Sequence, residues 1–327
     1  MKIGILGAGA MGSLIGAHLK KGGGEVYFVD VFDEHMKAIR ETGLVMELDD
    51  CPEIQRVFPD GAFTSGSEAG VCDAVIVLVK CYDTAAAVEA NPELFGPDTS
   101  VLTLQNGVGA ADILEKYFKA ERLGTGVIKS NAALLGPGRI SGRLSFPHSA
   151  GGIDFSPVKP ETPYRHVYGE LERLWQAGGM PARCGDSTER FIWDKLCLNV
   201  MYNGLGALLQ LSNEDMSTRE DGYLLMNEVA RETCEVARAK GIELNINDYL
   251  IDRTGKPPFD RSRVKTFHYV SALIDSYRKR KTEIDFLNGA VVREGKKHGV
   301  STPYNDAILR LVRLMQDTYD IRYDPGS

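Results

Sequence analysis

The first half of the chain alternates short apolar runs with stretches of helical period. Lys2–Leu6 reads as a strand, Gly9–Lys20 as a helix, Glu25–Asp30 as a second strand and Glu34–Glu41 as a short helix. Asp73–Lys80 (DAVIVLVK) is a nearly continuous β-branched run, the pattern of a strand buried on both faces. Ser100–Leu104 follows as a strand and Ala110–Phe118 as a helix. Strands that alternate with helices imply a parallel sheet covered on both faces. From Arg122 to Phe155 the chain is glycine-rich with β-like runs. These are expected to be outer strands of the same sheet, with an antiparallel arrangement open to them.

After Asp186 the period changes to that of helices. Glu189–Gln210, Gly222–Lys240, Val264–Tyr277, Thr282–His298 and Pro303–Tyr319 all fit. Pro303 suits a first-turn position, and Gly255-Lys256-Pro257-Pro258 marks a loop. The expectation is an α/β domain over 1–186 followed by an all-α domain over 187–327. The length of 327 residues agrees with two domains at roughly 150 residues each.

Composition narrows the function classes. The net charge of −7 disfavours a nucleic-acid binder, which usually shows a basic balance. The six cysteines, at 51, 72, 81, 184, 197 and 234, form no C-x-x-C and show no zinc spacing. They read as free thiols in a reducing, cytoplasmic compartment, and no metal-ligand cluster appears. Met1–Leu19 superficially resembles a signal peptide, but Gly7, Gly9 and Gly12 would break the apolar helix it needs. No run of 18 or more apolar residues predicts a membrane span.

The glycines have a better explanation. Gly7-Ala8-Gly9-Ala10-Met11-Gly12 is G-x-G-x-x-G directly after a strand and opening a helix. In that pattern the first glycine permits the tight turn, the second admits a pyrophosphate and the third lets helix and strand pack closely. The helix N-terminus then faces the phosphates. Asp30 ends the next strand, near the expected interval of about 20 residues. This is a Rossmann-type dinucleotide site, against a bare glycine turn as the bland reading. A carboxylate at Asp30 accepts from ribose hydroxyls and repels a 2′-phosphate, so NADH is favoured over NADPH. The nearest bases, Lys37 and Arg40, lie on the following helix.

Lys80 and Gln105-Asn106-Gly107-Val108-Gly109 stand at the carboxyl ends of two strands, where open α/β sheets bind ligands. Lys80 can reach a phosphate or ribose, or can simply end its strand in solvent. Lys195, Asn199 and Asn203 stand at i, i+4 and i+8 on an otherwise apolar helix, within an arc of roughly 80°. Such a stripe must face partners or a cleft, since an unpaired buried amide costs about 1–3 kcal/mol. Glu283 lies at the edge of the apolar stripe of its helix, placed either to pair with a lysine or to complement the helix dipole.

Together these segments resemble the ketopantoate reductase (2-dehydropantoate 2-reductase) family. The resemblance covers nearly the whole chain in order. It rests on the glycine motif, Lys80 in VKCYDT, Leu104–Gly109, Trp193-x-Lys195-Leu196-x-x-Asn199-x-x-x-Asn203, Ser271 to Asp275, Thr282-Glu283-Ile284-Asp285-x-x-Asn288-Gly289, and the tail from His298 to Asn305. It implies a Rossmann domain, a helical domain and an active site in the cleft between them. It also implies NAD(P)H-dependent reduction of a 2-keto acid, 2-dehydropantoate to (R)-pantoate, with Lys195 as general acid. The resemblance places Asn199, Asn203 and Ser271 on the substrate, Asn106 on both cofactor and substrate, and Glu283 beside the lysine and the cofactor. A homodimer is compatible with this picture; a nucleic acid or membrane partner is not expected.

Two departures stand out. Asp30-Val31 replaces the arginine that holds the 2′-phosphate in the commoner pattern, and Tyr269-Val270-Ser271-Ala272 replaces the usual paired-serine segment. The alternative is an NAD-dependent D-2-hydroxyacid dehydrogenase of the D-mandelate type in the same superfamily. A non-catalytic dinucleotide sensor would keep the glycine turn but has no need of Lys195, Asn199 and Glu283 together.

Overall fold

Among the described residues twelve strands form, β1 to β12, and those at the centre of the main sheet are runs of apolar and β-branched residues. A computed structural model describes the chain at residues 1–144, 151–251 and 269–321. The strands are β1 Lys2–Leu6, β2 Glu25–Val29, β3 Leu44–Leu48, β4 Gln55–Val57, β5 Gly61–Phe63, β6 Cys72–Val77, β7 Phe95–Thr103, β8 Leu123–Ile128, β9 Asn131–Gly136, β10 Arg139–Arg143, β11 Ile153–Pro157 and β12 Ala182–Cys184. Helices α1 Ala10–Lys21, α2 Asp33–Thr42, α3 Gly66–Ala69, α4 Thr84–Ala90, α5 Ala110–Leu114 and α6 Arg165–Ala177 connect them. These belong to one compact unit of Met1–Gln105 and Gly109–Phe191; Asn106–Val108 and the residues from Ile192 onward form another. The change falls at Phe191/Ile192, inside a helix, where the sequence suggested 186.

The main sheet has the order β12-β11-β8-β7-β6-β1-β2-β5. All neighbours are parallel except β8 and β11. β2 lies on one side of β1 and β6 on the other, so the strand order reverses at β1, the usual ligand position of a doubly wound sheet.

The expectation that all β runs between Arg122 and Phe155 join this sheet is corrected. β8 and β11 do, but β9 and β10 leave it and join β3 and β4 in a second sheet, β4-β3-β10-β9. The reason lies in α1, where every residue from Gly12 to Leu19 is buried. A helix apolar all round needs cover on every side. One side packs on β1 and β2, another on the second sheet and a third on α6. The same burial explains the resemblance of this stretch to a signal peptide. Packing is tight: a Cβ on Gly16 would sit 2.1 Å from the Phe28 ring.

Helix α6 was not anticipated, although its buried Val167, Tyr168, Leu171, Leu174 and Trp175 have helical spacing. Its Trp175 Nε1 donates to the Ile15 carbonyl at 3.2 Å. Beyond its end the Gly178 carbonyl accepts from His18 Nδ1 at 2.8 Å. A carbonyl only accepts, so Nδ1 carries the proton and Nε2 is a bare acceptor. Among the described residues Nε2 has no partner, and burial pulls the His18 pKa down.

The second unit is helical: α7 Glu189–Leu209, whose first turn still belongs to the first unit, α8 Asn213–Ser217, α9 Glu220–Ala239, α10 Ser271–Tyr277, α11 Asn288–His298 and α12 Pro303–Asp317. α7 buries Trp193, Leu196, Cys197, Val200, Met201 and Leu205 at its heart. The loop expected at Gly255–Pro258 and the start of the helix expected at Val264–Tyr277 lie outside the described residues. The single helix expected over Thr282–His298 is corrected. Ile284–Phe286 is a 3-10 turn, Leu287 breaks the helical path at φ −104° and ψ −102°, and α11 starts afresh at Asn288. The Phe286 carbonyl is taken by the Val108 N–H at 2.9 Å and is withdrawn from any helix. No described helix is long and apolar enough to cross a membrane.

Acid should loosen the first unit. Burial lowers the pKa of both His18 and His35 below 6.5, so the folded state holds them neutral. Below about pH 6.5 the unfolded chain binds more protons, and stability falls as pH drops. The urea midpoint is expected to be lower at pH 5.5 than at pH 7.5. His18→Asn, which keeps a donor for Gly178 but cannot titrate, should narrow the gap. Equal midpoints at both pH values for the unaltered protein would contradict this reading.

Candidate active site

The turn between β1 and α1 is built by close backbone contact. Gly7 has φ +97°, and a Cβ there would meet the Val79 nitrogen at 2.3 Å. A Cβ on Gly12 would lie 2.2 Å from the Gly7 carbonyl oxygen. Both glycines are therefore required by the fold itself. Gly9 is different. Its φ is −63°, an ordinary value, and a Cβ would meet nothing within 4 Å. Nothing in the described protein explains its bareness; an approaching ligand would. Gly9 caps α1 without a side-chain hydrogen bond, and the first turn of α1 has no acidic residue. Ala8, Ala10 and Met11 lie in the same turn. The arrangement suits a phosphate, which the N–H groups and dipole of a helix N-terminus attract. The residues present thus fit a dinucleotide.

Around this turn the polar groups are wired inward. The Gly7 and Ala8 N–H groups both donate to the Val29 carbonyl, at 2.9 and 3.3 Å. The Ala8 carbonyl accepts from the Ser13 hydroxyl at 2.9 Å, and Ser13 Oγ contacts His35 Nε2 at 3.0 Å. Neither Ser13 nor His35 was singled out by sequence reasoning. Their pairing joins two helices, and His35 also reaches Gly138, 103 residues away; no local motif signals such a contact.

Asp30 follows β2. One carboxylate oxygen accepts the Phe32 N–H at 3.0 Å, which fixes the side chain in a tight turn. Val31 beside it is 93% exposed. The two nearby bases are occupied: Arg40 donates to the Ala62 carbonyl, and Lys37 pairs with Glu41 at 4.0 Å. Lys80 is half-buried at the carboxyl end of β6, next to the reversal point. Gln105 joins that loop to the end of β7, donating to the Val79 carbonyl at 2.7 Å and to the Thr84 hydroxyl at 2.9 Å.

In the second unit Lys195 and Asn199 lie one turn apart on α7, both half-buried. Burial lowers the Lys195 ammonium to about 8, while the nearby Glu283 carboxylate pulls it back up. Glu283 is 8% exposed and opens the 3-10 turn at Ile284. Asn199 accepts the Asn203 amide on its backbone carbonyl at 3.0 Å. Its own side chain makes no hydrogen bond among the described residues. Asn203 is engaged by the fold: its Oδ1 accepts from Ala272 N–H and Ser271 hydroxyl, both at 3.4 Å, at the start of α10. Ser271 itself is exposed.

Asn106 belongs to this unit as well. Its neighbour Gly107, at φ +88°, passes so close to Phe286 that a Cβ would meet the carbonyl oxygen at 2.2 Å. The N-G-V-G and T-E-I-D segments are therefore one contact. Two other motif residues prove structural. Asn288 and Asn305 are fully buried and bonded at 2.9 Å, and Asn305 Nδ2 donates to Glu232 at 2.8 Å. Glu232 also accepts the Tyr304 and Asn305 N–H groups, which caps α12.

Comparison with known proteins gives a consistent picture. The family model described as "Ketopantoate reductase PanE/ApbA" matches residues 3–151, and its C-terminal counterpart matches 188–316. The chain is 30% identical to the 2-dehydropantoate 2-reductase of Lactococcus lactis subsp. lactis, over 97% of this chain and 98% of that one. It is 28% identical to the enzyme of that name from Streptococcus pyogenes, over 98% and 100%. Among solved structures, D-mandelate dehydrogenase with NADH and anilino(oxo)acetate superposes with a TM-score of 0.83 at 29% identity, covering 98% of this chain and all of that one. The 2-dehydropantoate 2-reductase of Geobacter metallireducens gives 0.82 at 26%, over 96% and 99%.

The glycines make separable predictions. Gly7→Ala should destabilise the protein by several kcal/mol, since strain adds to a backbone clash. Gly9→Ala should leave the melting temperature within a few degrees and weaken NADH binding at least tenfold. A Gly9→Ala protein that binds NADH normally, by fluorescence titration, would remove the ligand explanation.

Proposed function

The chain belongs to the ketopantoate reductase family, NAD(P)-dependent oxidoreductases acting on a CH–OH group, and from that we propose that it reduces a 2-keto acid with NADH, Lys195 serving as the proton donor. The substrate we favour is 2-dehydropantoate, reduced to (R)-pantoate, in line with the names of its relatives. The observation that carries this reading is the lysine lowered to about 8 beside a buried carboxylate, one turn from an amide that has no partner among the described residues.

A bound reduced nicotinamide supplies the hydride to the carbonyl carbon. The carbonyl oxygen then develops negative charge, and the Lys195 ammonium stabilises it and delivers a proton from Nζ. A value near 8 keeps Lys195 protonated at neutral pH and makes it a better donor than an ordinary lysine. Glu283 holds the charged form in place, and solvent returns the proton after each turnover. Asn199 and Ser271 hydrogen-bond the substrate, with Asn203 holding Ser271 at the head of α10. Asn106 offers a donor and an acceptor to cofactor and substrate. Gly7 to Gly12 and Lys80 take the phosphates and ribose, and Asp30 the adenosine ribose.

A second reading, an NAD-dependent D-2-hydroxyacid dehydrogenase, is supported by Asp30-Val31 and by the NADH-bound D-mandelate dehydrogenase neighbour. A steady-state screen of 2-keto acids separates the two: 2-dehydropantoate should lead, and benzoylformate should lead under the second reading.

Lys195→Ala should lower kcat by about 10²–10⁴-fold, the usual contribution of a positioned proton donor, while NADH binding persists. For the unaltered protein, kcat/KM for reduction should fall above about pH 8 as Lys195 loses its proton, and alcohol oxidation should rise over the same range. A Lys195→Ala protein with full turnover would end the assignment.

Cofactor choice follows from Asp30. Arg40 is engaged by the Ala62 carbonyl, and Lys37 is an exposed side chain at 4.0 Å from Glu41, so no described base is fixed beside this carboxylate to offset its repulsion of a 2′-phosphate. kcat/KM for NADH should equal or exceed that for NADPH, and Asp30→Ala with Val31→Arg should shift preference toward NADPH. A tenfold NADPH preference in the unaltered protein, about 1.4 kcal/mol, would mean that other bases decide.

A further inference from the structure

The hydrogen bonds around Ala8 form a directional chain whose proton positions are fully determined. The Gly138 N–H donates to His35 Nδ1 at 2.9 Å, so Nδ1 is the acceptor nitrogen. His35 Nε2 must then carry the proton, and it donates to Ser13 Oγ. Ser13 in turn donates to the Ala8 carbonyl. Both side chains are 0% exposed. Burial keeps the imidazole neutral, opposed only in part by Asp30 and the Ala8 carbonyl, and Phe32 stacks on it at 5.8 Å between centroids.

We propose that His35 and Ser13 form a positioning relay that holds the Ala8 carbonyl inward, so that the turn presents N–H groups rather than a carbonyl oxygen to the pyrophosphate. The physical basis is electrostatic. A carbonyl oxygen turned outward here would set a partial negative charge beside two phosphates, whereas a concavity of N–H groups attracts them. The Ala8 N–H is already drawn inward to the Val29 carbonyl, so the peptide groups flanking Ala8 are anchored from both ends. The relay also ties the turn to the Gly138 corner of the second sheet, and that sheet thereby acquires a part in cofactor binding beyond covering α1. His35 and Ser13 touch no substrate or reacting atom; they act through Ala8. The proposal rests on the reading of the glycine turn as a dinucleotide site.

The test uses ADP, which carries the pyrophosphate, and adenosine, which does not, with binding followed by calorimetry and ligand-observed NMR. Ser13→Ala removes both the relay donor and acceptor. His35→Asn keeps an acceptor where Nδ1 stood but cannot reach Ser13, and His35→Gln keeps the donor where Nε2 stood. Ser13→Ala and His35→Asn should weaken ADP about tenfold, the equivalent of one lost hydrogen bond, and leave adenosine unchanged. His35→Gln should stay within about threefold of the unaltered protein. If Ser13→Ala does not fold, Ser13→Cys, nearly the same shape with a weak donor, should show the same loss. Folded variants that bind ADP normally would overturn the relay, as would a parallel loss for adenosine. An unaltered protein that binds no ADP would instead sink the dinucleotide reading, and the relay with it.

Discussion

Between Gly12 and Leu19 helix α1 has no solvent face, and much of the first unit follows from that. A helix buried from Gly12 to Leu19 must be enclosed, and the main sheet can enclose only one side. The second sheet and α6 supply the rest. Enclosure brings backbones close, so a Cβ at Gly16 has no room. It also buries polar side chains, and these must find partners or carry a penalty of about 1–3 kcal/mol each. Ser13 and Trp175 meet that demand by bonding to backbone carbonyls, and His18 does so through Nδ1 alone.

The same enclosure shapes the glycine turn at the head of α1. Carbonyl oxygens near Gly7 and Ala8 are turned into the protein, where Ser13 and the packing of Gly12 hold them. What faces outward is the bare Cα of Gly9 at the head of α1. In the proposed reading, a site for an anion is made largely by disposing of the groups that would repel it, before any basic side chain is considered. Asp30, held in its own tight turn, is the residue proposed to set selectivity at the ribose end.

The second unit shows how a buried polar network and the proposed proton donor are sorted from one another. Asn288, Asn305 and Glu232 bond among themselves and cap α12. Asn203 bridges α7 to α10. These groups are committed to holding helices together. Lys195 instead sits where burial disfavours its charge and a carboxylate restores part of it, the condition under which a lysine gives up a proton near neutral pH. Asn199, on the same stripe, keeps an amide with no partner among the described residues.

Local features were legible in the sequence because their causes are local. Period decided β1, β2, β6 and the long helices α7, α9 and α12; turn chemistry decided Gly7 and Gly12; i, i+4 spacing put Lys195 and Asn199 on one stripe. Features that depend on contacts between distant segments were not. Nothing near Arg139 reveals that β10 pairs with β3 instead of joining β8, because strand partners are chosen by which surface needs cover. The Thr282–His298 run keeps helical period, yet it breaks at Leu287 because Val108, far back in the chain, takes the Phe286 carbonyl. Among the asparagines of the motifs, spacing could not say which are bonded within the fold and which are left for a ligand. His35 carries no local signal of its own; its meaning lies in Ser13, 22 residues before it, and Gly138, 103 after it. Periodicity reports which face of an element is buried, but only the folded chain supplies the partner that a buried polar group requires.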